Sequence, residues 1–152
     1  MITHRFHMRN HIDEVDRIVG QSCAAVCGAL GVGAMARFEI CMAEALTNLV
    51  QHAGGGQTRV DVVVREINVA IGVDIFDPEG AAHFDICDHA TALCDVDPMT
   101  QSGRGLGLIK QCADDVFYGS LNGRNRLFLM FLKVDTRLPL APLKSQISGA
   151  KP

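Results

Sequence analysis

Glu44-Ala45-Leu46-Thr47-Asn48-Leu49-Val50-Gln51-His52 carries the decisive reading of this chain. It lies within residues 34–53, where Phe38, Cys41, Ala45 and Leu49 step by three or four, the period of a helix with one buried face. Gly54-Gly55-Gly56 ends that helix. Glu44, Asn48 and His52 fall four apart and stack along one side. A solvated polar face explains such a stripe as well as a site does. An asparagine in an otherwise apolar helix nevertheless has mediocre helix propensity, and needs partners if buried.

Upstream, residues 5–8 read as a short strand, and Ile12, Val15, Ile18, Val19, Ala25, Val26 and Leu30 keep near-helical spacing. Downstream, residues 59–65 and 69–76 alternate with a period of two and form strands joined through Glu66-Ile67-Asn68. Asp77-Pro78-Glu79-Gly80 follows. An acid at a strand end is a ligand-binding position in many α/β sheets, and equally an ordinary turn starter. Residues 78–102 then lose all periodicity; they hold five acids and no Lys or Arg, the composition of a functional loop or lid.

Gly103-Arg104-Gly105-Leu106-Gly107-Leu108-Ile109-Lys110 leads into a helix reaching about residue 114. Glycines let backbone approach a ligand closely, and the unpaired N–H groups of a helix start attract phosphate oxygens. The cluster follows a polar loop rather than a strand and lacks the Walker spacing, which disfavours both common phosphate-loop folds. Two strands, 116–118 and 126–134, complete the pattern.

The remaining composition narrows the class. A chain of 152 residues with 48% hydrophobic and 20% charged residues suits one domain with one core. A net charge of -3 with scattered Lys and Arg argues against nucleic acid. No apolar run is long enough for a signal peptide or a membrane span, so a cytoplasmic location and reduced cysteines are expected. His83, Cys87, His89 and Cys94 match no standard zinc spacing.

Taken in order, these features resemble the GHKL ATPase superfamily shared by gyrase, Hsp90, histidine kinases and MutL. Glu44 and Asn48 match its N box, Asp77 its first glycine box, and Gly103 to Gly107 its second. The compact size, the Glu44-xxx-Asn48-xxx-His52 run and the segment from Ser102 to Ile109 are most similar to the anti-sigma-factor serine-protein kinases of the RsbW/SpoIIAB type. Glu79 and Ala81 depart from the family by standing where its first box has glycines, with Gly80 between them.

The resemblance implies an α+β two-layer sandwich: a mixed, mostly antiparallel sheet covered on one face by helices. It implies one domain over residues 1–136 with an ATP lid at about 78–102, and residues 137–152 are expected to be a disordered tail. It also implies ATP and Mg²⁺ as cofactors. Glu44 would be the catalytic base and Asn48 the Mg²⁺ ligand. Asp77 would read the adenine amino group, and Gly80, Gly103, Arg104, Gly105, Leu106 and Gly107 would complete the nucleotide site. The implied activity is serine-protein kinase and anti-sigma factor. The implied partners are an antagonist protein as phosphorylation substrate, a sigma factor or similar regulator, and a second copy in a homodimer. The alternative is a non-catalytic ATP-binding or sequestration module of the same fold.

Overall fold

The computed structural model describes residues 1–53, 57–81 and 104–134, apart from the side chains of Arg104 and Leu106. Most of the segment expected to form the lid, Gly103 and the expected tail lie outside the described residues. In chain order the elements are β1 (Ile2–Arg9), a short 3-10 turn (Ile12–Glu14), α1 (Val15–Val26), α2 (Val32–His52), β2 (Arg59–Glu66), β3 (Ala70–Phe76), α3 (Arg104–Cys112), β4 (Asp115–Leu121) and β5 (Arg124–Leu132). Among the described residues no helix is long and apolar enough to cross a membrane.

The strands form one sheet in the order β1-β2-β3-β5-β4, and all four pairings are antiparallel. Alternation assigns their faces. Val60, Val62 and Val64 of β2, Ile71, Val73 and Ile75 of β3, and Leu127, Leu129 and Phe131 of β5 all turn to the helices and are buried. From the other layer, Ile18 of α1 and Phe38, Met42 and Leu46 of α2 close the core. Phe38 meets Phe131 edge to face at 5.0 Å between ring centroids, tying the longest helix to a central strand. This is the two-layer α+β architecture expected from the sequence.

Boundaries differ where local chemistry is strong. The β4–β5 turn is Asn122-Gly123, both with positive φ (52° and 79°), the conformation of a tight two-residue hairpin. It lengthens β4 to residues 115–121 from the 116–118 read from periodicity, and shifts β5 two residues earlier, to 124–132 from 126–134. The first long helical run is likewise split, into the 3-10 turn and α1.

The sheet's second face carries charge rather than a helix layer among the described residues. Asp74 of β3 is 1% exposed there and forms ion pairs with Arg65 of β2 and with Arg126 of β5, the latter at 3.1 Å. The Arg126 guanidinium also lies near the Phe117 and Phe128 rings, at 5.9 and 5.8 Å from their centroids. Asp61 of β2 is shared by Arg59 and Arg124, each at 2.7 Å. Burial would push the Asp61 carboxyl up, but the hydrogen bonds from Arg124 and Arg59 outweigh it and hold the carboxyl below its usual range.

A carboxyl depressed in the folded state adds stability above its unfolded pKa of about 3.9 and loses it as pH falls through the lower folded value. The melting temperature should therefore drop more steeply on acidification below about pH 4 for wild type than for Asp61→Asn. Thermal melts across that range check this; identical slopes would show that the Asp61 pairs contribute nothing to folding.

Candidate nucleotide-binding site

Helix α2 is apolar on its core side through Phe38, Cys41, Met42, Ala45 and Leu46. Glu44 and Asn48 sit half-buried at the margin of that stripe, while His52 is exposed at the helix end. Helix α3 packs against α2 there, anchored by the buried Ile109 and Cys112. Cys41 reaches across the seam, its thiol donating a long bond to the Ile109 carbonyl at 3.8 Å. Burial, with added pushes from Cys112 and Glu44, drives the Cys41 thiol's pKa well upward, so it stays protonated.

The seam closes tightest at Gly105. A Cβ at this position would lie 2.5 Å from Oε2 of Glu44 and 3.1 Å from Nδ2 of Asn48. Only glycine lets the first turn of α3 lie this close to the two polar side chains. Its leading N–H groups, which have no partner within the helix, thereby start beside Glu44 and Asn48. Nδ2 of Asn48 is buried with no hydrogen-bond partner, a state that normally costs about 1–3 kcal/mol. Such a donor is available to a water, an ion or a ligand oxygen. Gly107 is buried two residues further into α3. The structure thus brings together Glu44, Asn48 and Gly105 from two distant stretches of sequence.

Asp77 forms a second node at the end of β3. It is buried, and its Oδ2 accepts a hydrogen bond from the Tyr118 hydroxyl at 2.6 Å. Its N–H donates to the Asn125 carbonyl at 3.0 Å. Its own carbonyl accepts from Nε and Nη2 of Arg124, at 3.1 and 2.8 Å. The Tyr118 bond fixes the orientation of the Asp77 carboxylate. Pro78-Glu79-Gly80-Ala81 then makes a turn closed by the Ala81 N–H on the Pro78 carbonyl at 3.1 Å. Gly80 has φ +76°, which the third position of a type II turn demands, and Asn125 ties the turn down through the Ala81 carbonyl at 3.2 Å. The single glycine makes the bend here, although Glu79 and Ala81 flank it.

Tyr118, Arg124 and Asn125 were invisible as site residues in the sequence, because each is a lone polar residue on an ordinary strand. The Asn122-Gly123 hairpin was the available signal, since it sets the register that brings Tyr118, Arg124 and Asn125 to Asp77. Arg104 and Leu106 occupy the first turn of α3; Gly103 lies outside the described residues, as do His83, Cys87, His89 and Cys94.

An acid, an amide and a glycine-opened helix start held together on the helix layer, with a fixed aspartate at a strand end, suit a phosphorylated ligand carrying a polar base. No curated protein matches the chain. A family model described as histidine kinase-like ATPase domain matches residues 9–131, which takes in every element from α1 to β4, the end of β1 and most of β5. The chain belongs to the histidine kinase-like ATPase domain family.

Proposed function

We propose that this domain is an ATP-dependent serine-protein kinase of a partner-switching system, phosphorylating a small antagonist protein and sequestering a sigma factor or similar regulator. The observation that carries the reading is Glu44 held one helical turn from Asn48, both against Gly105. A module that only bound nucleotide would need the amide and the glycine turn, but not the acid.

The residues fit ATP with Mg²⁺: the buried Nδ2 of Asn48 is a donor without a partner, which suits a phosphate oxygen, and Gly105 leaves a cradle that a side chain would fill. Asn48 would hold the metal through its side-chain oxygen, and the α3 N–H groups would hold phosphate oxygens. Bound Mg²⁺ supplies the positive charge that phosphoryl transfer requires. Glu44 would take the proton from an attacking serine hydroxyl. Asp77, oriented by Tyr118, would accept the adenine amino group and reject guanine, which presents a carbonyl at that position. A homodimer is the assembly proposed with this function.

Glu44→Ala should still bind ATP but lose about 10²–10⁴-fold in transfer to the antagonist, the usual worth of a general base. Asn48→Ala should weaken Mg·ATP and transfer together. Calorimetry and a radiolabelled transfer assay on wild type and both variants read these effects. A wild type that binds ATP and phosphorylates no cognate partner would make the domain a sequestering module instead.

Gly105→Ala gives a sharper test of the seam. The atom nearest the new methyl is the tip of a flexible glutamate, so the chain should fold with Glu44 displaced. Transfer should then fall on the order of 10²-fold, as a misplaced catalytic group predicts, with the melting temperature little changed. Unaltered transfer would remove Glu44 from the reaction.

For nucleotide choice, ATP should bind at least about tenfold tighter than GTP, because guanine leaves a buried acceptor unpaired. Asp77→Asn should erase most of that difference. Equal affinities of the wild type for the two nucleotides, measured by calorimetry, would overturn the role given to Asp77.

A further inference from the structure

On the sheet face opposite the helices, a groove of about 390 Å³ opens between β1, β2 and the end of the β4–β5 hairpin. Three arginines converge on it from three strands, Arg5 of β1, Arg59 of β2 and Arg124 of β5, with Asp61 as the acid among its lining residues. Asp61 accepts one bond each from Arg59 and Arg124, at 2.7 Å, one on each carboxylate oxygen. Each guanidinium carries five donors, so most of Arg59's remain available, and its side chain is 67% exposed. Arg5 has no acidic partner among the described residues. The groove is therefore cationic on a chain whose net charge is -3.

Its walls are not wholly polar. The Phe76 ring lies beneath the Arg124 guanidinium at 5.4 Å, and Leu121 is exposed at the rim. Forked guanidinium donors beside an apolar wall suit an oxyanion attached to a short carbon skeleton. The volume lies at the low end of the range for small-molecule sites, and is too small for a folded partner's surface.

We propose that this groove binds a small organic dianion, a dicarboxylate or a phosphate ester, between Arg5, Arg59 and Arg124. Asp61 is its internal competitor: the carboxylate holds two of the arginines in place until a ligand shares them. Arg124 also donates two bonds to the Asp77 carbonyl, at 3.1 and 2.8 Å, so a ligand drawing on Arg124 acts on the backbone that positions Asp77. The binding itself does not depend on the kinase reading.

The test is calorimetric titration of the full, nucleotide-free chain with succinate and with inorganic phosphate at low ionic strength. Saturable binding of at least one is expected. Arg5→Gln should weaken it about tenfold through loss of a charge-assisted contact, and Asp61→Asn should tighten it. Effects of opposite sign from two substitutions on one surface would not arise from loss of structure. If Asp61→Asn does not fold, the Arg5→Gln result decides. Absence of saturable binding would overturn the proposal. Binding that neither substitution alters would also overturn it, placing the anion at the glycine turn. Binding of a tetraglutamate peptide, but of neither small anion, would overturn it in favour of docking by an acidic chain.

Discussion

The approach of α3 to α2 at Gly105 is the constraint on which the candidate site depends. With Oε2 of Glu44 2.5 Å from where a Cβ would stand, no other residue type fits without moving the acid. That contact converts two unremarkable helices into a site, because it lays the start of one beside the polar stripe of the other. The apolar packing of Ile109 and Cys112 below it holds the helices together. The polar groups above it then need no covalent or metal tether to stay in place.

The sheet serves the same end from the other side. Its helix-facing surface is a continuous aliphatic floor that fixes α2 in position, with Phe38 locked against Phe131. Its opposite surface uses a different device, in which each of two aspartates is shared between two arginines: Asp74 between Arg65 and Arg126 on the strands either side, and Asp61 between Arg59 of its own strand and Arg124 of β5. Removing one partner from such a buried pair leaves an uncompensated charge, so Asp74 with Arg65 and Arg126 favours a single strand register. Register matters because Tyr118, Arg124 and Asn125 reach Asp77 only if β4 and β5 are aligned as they are.

Arg124 joins these parts. One guanidinium binds the Asp77 carbonyl on the candidate adenine side and Asp61 on the open face. A rigid, five-donor fork can serve two acceptors at once, which a lysine's compact ammonium would do with less directional control. The two faces of the sheet are thereby connected through one side chain as well as through the backbone.

Much of this was determined by sequence periodicity. The heptad-like spacing of Phe38, Cys41, Ala45 and Leu49 made α2, strict alternation made β2 and β3, and the glycine run 103–107 marked the start of α3, because these signals are local and each residue's face follows from its position. The same locality placed Glu44 and Asn48 on one helix side and Asp77 at a strand end. Whether those positions met was a matter of packing between segments some 60 residues apart in sequence, for which one chain's pattern holds no information. Only the tertiary structure set Gly105 on Glu44 and Asn48, left the Asn48 amide buried without a partner, and gave Asp77 its support from Tyr118 and Arg124. The arginine-lined groove was equally unreadable, since its three arginines lie on three strands and become neighbours only through the order β1-β2-β3-β5-β4.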